Sequence, residues 1–366
     1  MHYFDHAATH PLSEVARAAW LDAATRFPAN PSSLHRLGAR ADRALEGARA
    51  RLAAMLGCSP GEVIFTSGAT ESNNLMVHHL AHALTGTVLV SSLEHPSVLE
   101  PTRHELAERR QLIPATPAGV VDLPWLENRL RTRPPAAVLL MAANNETGVL
   151  QPWREVAARC REHGVWFGCD AAQWLGKLPA AGLGACAFLT GCAHKFGGPP
   201  GVGFLKGPTT LRPLLRGGPQ EDRRRAGTQN LPGILAMVAS LEARERELAV
   251  GGAEQRIVWR DRFVARVQQA LPGTELLGAD APRLWNTVSL QLPPRADGRR
   301  WVVALDRLGF AVASGSACSS GRDVPSHVLE AMGRSRDNAD RVVRFSSGWE
   351  TPESAWEVLI RKGVSS

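Results

Sequence analysis

The chain has 366 residues, 44% hydrophobic and 21% charged, which is ample for a large core and predicts two domains or one large α/β domain with an appendage. It carries a formal charge of +7, but its arginines alternate with acids along helical stretches such as Arg40-Ala41-Asp42-Arg43-Ala44-Leu45-Glu46. Solvated helix faces are therefore expected, not a nucleic-acid interface, and with no run of 18 uninterrupted apolar residues no membrane span is expected either.

In chain order, Tyr3-Phe4-Asp5-His6-Ala7-Ala8-Thr9-His10-Pro11 reads as an extended arm without the basic and apolar regions of a signal peptide. Ser13 is the expected N-cap of a first helix, which Pro28 stops. A long helix is predicted from Leu37 to Leu56, closed by Gly57. A repeated unit of apolar strand, polar tip and helix follows. Val63-Ile64-Phe65 runs into Thr66-Ser67-Gly68-Ala69-Thr70, and Thr87-Val88-Leu89-Val90 into Ser91-Ser92-Leu93-Glu94-His95. Ala136 to Met141 runs into Asn144-Asn145-Glu146-Thr147-Gly148, and Val165-Trp166-Phe167-Gly168 into Asp170-Ala171-Ala172-Gln173. Ala187-Phe188-Leu189-Thr190 leads to Cys192-Ala193-His194-Lys195 and a glycine-rich hairpin or loop. Short apolar strands alternating with helices predict an α/β fold with a mostly parallel sheet covered on both faces. In such sheets ligands bind at the carboxyl ends of the strands, where all five tips lie. A helix from Gly233 to Ala249 and the Gly251-Gly252 break precede a helix Gln255 to Ala270 and strands at Thr287–Leu290, Phe310–Ala313 and Val342–Ser346, a smaller α+β unit. The expected division is a large domain over 13–247 and a small one made of 1–12 and 248–366, the latter carrying Cys318.

The tips carry chemistry of one kind. There are 38 arginines but only four lysines, Lys177, Lys195, Lys206 and Lys362. An arginine cannot form a Schiff base because its guanidinium keeps its proton, whereas a lysine amine can once burial or a neighbouring charge lowers its pKa. Lys195 is thus either a Schiff-base lysine or a plain surface residue. Thr66-Ser67-Gly68-Ala69-Thr70 opens a helix and suits an anion, with an ordinary N-cap at Thr70 as the alternative. Asp170 can keep a pyridinium nitrogen protonated or cap a helix. His95 can stack on a ring or move a proton. Asn145 and Gln173 are candidate donors to a ligand. Arg344, inside an apolar strand, calls for a bound carboxylate or an internal ion pair. Small residues surround Cys318 in Ser314-Gly315-Ser316-Ala317-Cys318-Ser319-Ser320-Gly321, unlike a core cysteine; its thiolate would be a nucleophile able to carry a group away. The other cysteines, Cys58, Cys160, Cys169, Cys186 and Cys192, form no CxxC pair, so neither a metal site nor a disulfide framework is expected, and a reducing cytoplasm fits.

Together these segments resemble the cysteine desulfurases, fold-type I pyridoxal-phosphate enzymes of the class V aminotransferase group. The resemblance runs from Tyr3 to about Ser347 through Phe4–Thr9, Thr66–Asn74, Glu94–Ser97, Asn144–Gly148, Asp170–Gln173, His194-Lys195, Arg225–Asn230, Gly315–Ser320 and Arg344–Ser346. The GSAC form of the cysteine loop is that of the long-loop type. The resemblance implies pyridoxal 5'-phosphate held by Gly68, Ala69, Thr70, His95, Asn145, Asp170, Gln173, Cys192, His194 and Lys195, with Thr228 reaching in from the partner subunit of a homodimer. Lys195 would form the Schiff base and move the Cα proton, and His95 would stack over the ring. Asn145 and Arg344 would hold the carboxylate of L-cysteine. Cys318 would take the sulfur as a persulfide, releasing L-alanine, and pass it to an acceptor protein. The alternatives are another pyridoxal-phosphate C–S lyase acting on selenocysteine or a cysteine conjugate, or a catalytically retired binding protein. Four positions depart from the pattern: Cys192 replaces a serine that contacts phosphate, His10 a threonine, Pro219 a glycine and Trp349 an arginine. A thiol donates more weakly than a hydroxyl, so Cys192 implies weaker hold on the cofactor.

Overall fold

The apolar runs between the polar tips pair into one sheet. A computed structural model describes residues 1–314, 326–335 and 341–364. A two-residue strand β1 (His2–Tyr3) precedes helices α1 (Glu14–Arg26) and α2 (Arg36–Leu56). Ser13 caps α1 by accepting the Ala16 N–H at 3.2 Å, and Gly57 closes α2 in the left-handed conformation at φ +77°. The strands β2 (Val63–Thr66), β3 (Val88–Ser91), β4 (Arg110–Ile113), β5 (Ala137–Leu139), β6 (Trp166–Asp170), β7 (Phe188–Cys192) and β8 (Gly203–Lys206) line up in the order β2-β8-β7-β6-β5-β3-β4. All are parallel except β8, which runs against both β2 and β7.

Helices cover both faces, which is why the inner strands are apolar throughout and do not alternate. One cluster packs Leu45, Leu52 and Leu56 of α2, Leu126 and Leu130 of α5 (Leu123–Thr132), Val156 of α6 (Trp153–Glu162) and Met237 and Leu241 of α7 (Leu231–Ala249) against the sheet. The other packs Leu75, Met76 and Leu80 of α3 (Ala69–Ala83) and Val98 and Leu106 of α4 (Pro96–Leu106) against its opposite side. Between β3 and β5 the strand order changes direction, the place where such sheets open a crevice at their carboxyl edge.

A third cluster forms around α8 (Glu254–Ala270), the helix Glu353–Leu359, and an antiparallel sheet of β9 (Glu275–Leu276), β10 (Thr287–Gln291), β12 (Ala313–Ser314) and β13 (Val342–Ser346). Phe4 belongs to that cluster, because β1 pairs in parallel with β11 (Phe310–Ala311). The sequence predicts one strand over Phe310–Ala313; the structure divides it. Its first half pairs with the N-terminal arm and its second with β13, so two partners claim adjacent residues. Two strands, β4 and β9, escape the sequence pattern altogether. β4 is a half-exposed edge strand opening with Arg110-Gln111, and β9 has only two residues; β8, antiparallel to β7, takes the hairpin alternative of the glycine-rich stretch. Among the described residues no helix is long and apolar enough to cross a membrane.

Candidate active site

All five polar tips open into one cavity of about 440 Å3. Its lining includes Gly68, Ala69, Thr70, His95, Asn145, Asp170, Gln173, Cys192, His194, Lys195 and Arg344. The structure thus brings together every expected site residue except two. Thr228 is exposed and lies outside the lining, although its loop is tied to α3 by Arg225, whose Nε is 2.8 Å from Glu71. Cys318 lies outside the described residues.

Lys195 follows β7 in a single helical turn, Ala193–Lys195. Its Nζ donates to the carbonyls of Ala7 and Ala8, 2.7 Å each, so the N-terminal arm holds the amine at the cavity wall. Asp170 ends β6 and is buried; its carboxylate accepts from Asn73 Nδ2 at 2.8 Å and from the Ala172 N–H at 2.9 Å. His95 is the N-cap of α4, its Nδ1 accepting the Ser97 N–H at 3.1 Å and lying 2.8 Å from Ser97 Oγ. Burial, reinforced by Lys195, pushes its imidazole below the usual range despite the opposing charge of Asp170. With its pKa lowered, His95 is a neutral imidazole whose Nδ1 is held by Ser97.

The β2–α3 turn is built as an anion cradle. The N-cap of α3 is Gly68, which has no side chain to cap the first turn, so Thr70 is the second helical residue and not the cap. The turn sits so close to β8 that a Cβ on Gly203 would collide with the Gly68 backbone. Cys192 lies buried beside it, its sulfur meeting the Ala69 N–H and 3.8 Å from His194 Nε2. Burial raises that thiol to about 11 and lowers His194 to about 4, so at neutral pH both are uncharged.

Arg344 shows what its strand position left open. It is buried and ion-paired with Asp5 at 2.6 Å, and it donates to the Asn145 carbonyl at 2.8 Å. Its Nε has no partner among the described residues, leaving one buried donor at a site that the cavity reaches. Asn73, Ser97 and Asp5 are site residues that the sequence does not single out. Asn73 joins four elements: it donates to Asp170 and to Ser97 Oγ (2.9 Å) and accepts from Thr190 Oγ1 (2.6 Å). A cavity with an amine, a facing carboxylate, a neutral imidazole and an uncapped helix start can condense with a carbonyl compound bearing an anionic group and hold a cationic nitrogen opposite it.

The family model for class-V aminotransferases matches residues 2–355. Among curated proteins, the chain is 38% identical to a cysteine desulfurase of Klebsiella pneumoniae over 98% of its own length and 90% of that protein's. It is 35% identical to the cysteine desulfurase IscS of Dictyoglomus turgidum, over 95% and 90% respectively. Among solved structures it superimposes on a NifS-like protein with a TM-score of 0.89 at 30% identity, covering 99% of this chain and 98% of the other.

Proposed function

The chain belongs to the class-V aminotransferase family, and within it to the cysteine desulfurases, and from that premise we propose that its cavity binds pyridoxal 5'-phosphate and turns L-cysteine into L-alanine while Cys318 takes the sulfur. In atoms, the C–S bond of the substrate breaks, a S–S bond forms at Cys318, and the resulting persulfide is handed to an acceptor protein. The observation that carries this reading is the convergence of Lys195, Asp170, His95 and Gln173 on one cavity beside the uncapped start of α3.

The residues fit the group. Thr70, His194 and the first-turn N–H groups of α3 would hold its phosphate, Asp170 its ring nitrogen, and Gln173 its ring oxygen; Lys195 would hold it covalently. When bound, pyridoxal phosphate supplies an electron sink that weakens the bonds around the substrate Cα. The protein's own residues do the rest. Lys195 moves the Cα proton, the neutral His95 covers the ring and assists proton transfer, and Arg344 with Asn145 orients the substrate carboxylate. The described cysteines support Cys318 as the acceptor of sulfur by being unsuited to it. Burial raises Cys58 and Cys192 to about 11 and Cys160 to about 12, Cys169 lies well above its usual range, and Cys186 is buried. A thiol is a nucleophile only as thiolate. The five described cysteines, all free thiols, suit a reducing cytoplasm. The exposed Thr228, tethered beside the mouth by Arg225 and Glu71, supports a homodimer in which each subunit completes its partner's site.

The test is alanine release from L-cysteine by wild type, Lys195→Ala and Cys318→Ala, with and without a thiol reductant. Turnover by wild type alone, with sulfur trapped on Cys318 when reductant is withheld, supports the assignment. Activity in Lys195→Ala, or equal alanine from Cys318→Ala, overturns it.

A further inference from the structure

Lys177 has no part in the chemistry above, yet it is buried directly behind the cavity wall, 3% exposed. Its Nζ donates to Gln173 Oε1 at 2.8 Å, and no carboxylate lies within ion-pair distance of it among the described residues. Gln173 Nε2 in turn donates to the Ala7 carbonyl at 2.8 Å, and the same carbonyl accepts Lys195 Nζ at 2.7 Å. A continuous chain therefore runs from Lys177 through Gln173 and Ala7 to Lys195.

An amine that donates to Gln173 fixes which end of the amide faces the cavity, because an ammonium has donors only. The flipped amide would set its NH2 against the ammonium and its oxygen toward the cavity. On the function proposed above, we propose that Lys177 is the positioning residue of this site: it locks Gln173 as a hydrogen-bond donor to the cavity and places a buried positive charge behind that donor, so that an anionic ring oxygen is bound there. Burial without a carboxylate is costly for a cation, which is a reason to expect a compensating ligand. Burial, with Lys195 and Arg344 adding and Cys192 opposing, brings the Lys177 amine down to about 7 among the protein's own groups, and an anionic oxygen bound at Gln173 favours its charged, donor-only form; His6 and His194 are the other titratable groups that sense it.

The experiment compares wild type, Lys177→Met, Gln173→Ala and the double variant, each loaded with pyridoxal 5'-phosphate. The readouts are the pH at which the visible absorbance changes and the dissociation constant of the cofactor. Loss of a positive neighbour raises the pKa of the groups it faces, so Lys177→Met moves the transition upward by about one pH unit and weakens binding about tenfold. In the Gln173→Ala background the loss of binding on adding Lys177→Met shrinks to under about twofold, because the amide to be oriented is gone. Should the methionine variant not fold, Lys177→Gln, neutral and polar, carries the same expected upward shift. An unchanged transition and affinity, with only the thermal midpoint lowered, overturns the inference and leaves the proposed function standing. A wild type that takes up no cofactor overturns both.

Discussion

Asn73→Ala removes one side chain from the inner face of α3 and three hydrogen bonds with it. Its Nδ2 donates to Asp170 at 2.8 Å and to Ser97 Oγ at 2.9 Å, while its oxygen accepts Thr190 Oγ1 at 2.6 Å. Asn73 and Thr190 are each 0% exposed, so water cannot substitute. A bond to a charged acceptor contributes about 1.5–3 kcal/mol, and a buried hydroxyl left without a partner costs about 1–3 kcal/mol. Ser97 keeps its contact with His95 and adds little. The sum is about 4 kcal/mol of stability, with an additional loss of at least tenfold in alanine release, since about 1.4 kcal/mol of misplacement at Asp170 suffices for that. Asn74→Ala is the control. That neighbouring side chain donates only to the Thr70 carbonyl one turn back, at 2.8 Å, and its loss should cost under about 0.5 kcal/mol. Urea unfolding and steady-state kinetics of both variants decide the matter. Equal effects at the two positions would refute the claim that Asn73 joins α3, α4, β6 and β7 at the site.

Glu221→Ala should lower stability by about 3 kcal/mol in thermal or urea unfolding, because it leaves the buried Arg49 guanidinium, 2.7 Å from Glu221, without its main partner; a change under about 1 kcal/mol would refute it. Cys192→Ser, which replaces a weak donor by a strong one beside α3, should tighten pyridoxal phosphate binding about tenfold, or about 1.4 kcal/mol, and equal or weaker binding would show that the thiol is not limiting. Burial pushes the Glu146 carboxyl up to about 7, against the lowering effects of Ser326 and Arg344, from a usual 4.5. The folded state then binds that proton more tightly than the unfolded chain, so this group's contribution falls by roughly 3 kcal/mol as pH rises through the window 4.5 to 7. Glu146→Gln should abolish that slope relative to wild type; the difference between the two proteins removes the opposite slope of His6, which burial lowers to about 4. A difference that does not vary with pH would refute the reading.

The residues legible in the sequence are those whose role follows from local position. At the carboxyl edge Asp170 ends a strand, His95 caps a helix and Lys195 closes the single turn after β7, and an apolar run beside a polar tip announces that place. Asn73 gives no such signal. It sits in mid-helix, and its partners Ser97, Asp170 and Thr190 lie 24, 97 and 117 residues away. Asp5 and Arg344 meet across 339 residues, which is why the strand pattern exposes the need for a partner but not which one. Lys177 was legible as one of few lysines; only the packed structure shows it behind Gln173. The sequence leaves β8 between hairpin and loop because its two neighbours, not its four residues, make it a strand.

Two of the departures from the family pattern make sense as one change. His10 Nε2 lies 3.2 Å from Glu350, and the His10 backbone donates to the His194 carbonyl at 2.7 Å. Glu350 also pairs with Arg244 at 2.7 Å; burial alone would raise its carboxyl, but His10 and Arg244 together hold it well below the usual range. Trp349, next in the chain, donates from Nε1 to the Gly176 carbonyl at 2.7 Å, and Trp285 does the same to the Lys177 carbonyl at 2.8 Å. The Arg256 guanidinium stacks 5.0 Å from the Trp349 ring. An arginine at 349 would add a further cation beside Arg244 and Arg256, close behind the uncompensated Lys177. An indole satisfies the same carbonyl without charge and gives both arginines an aromatic face. Between them, Gly348 must stay without a side chain, because a Cβ there would overlap the His6 ring. Trp349 and Trp285 thus brace the turn Gly176-Lys177 that follows Gln173, while His10 and Arg244 hold Glu350 beside Trp349. On this argument His10→Thr alone, which leaves Glu350 with Arg244 as its one remaining partner, should loosen the segment that carries Trp349 and weaken cofactor binding, while His10→Thr with Trp349→Arg, which offers Glu350 a new cation, should recover part of that loss. No recovery in the double variant would show that the two departures are independent.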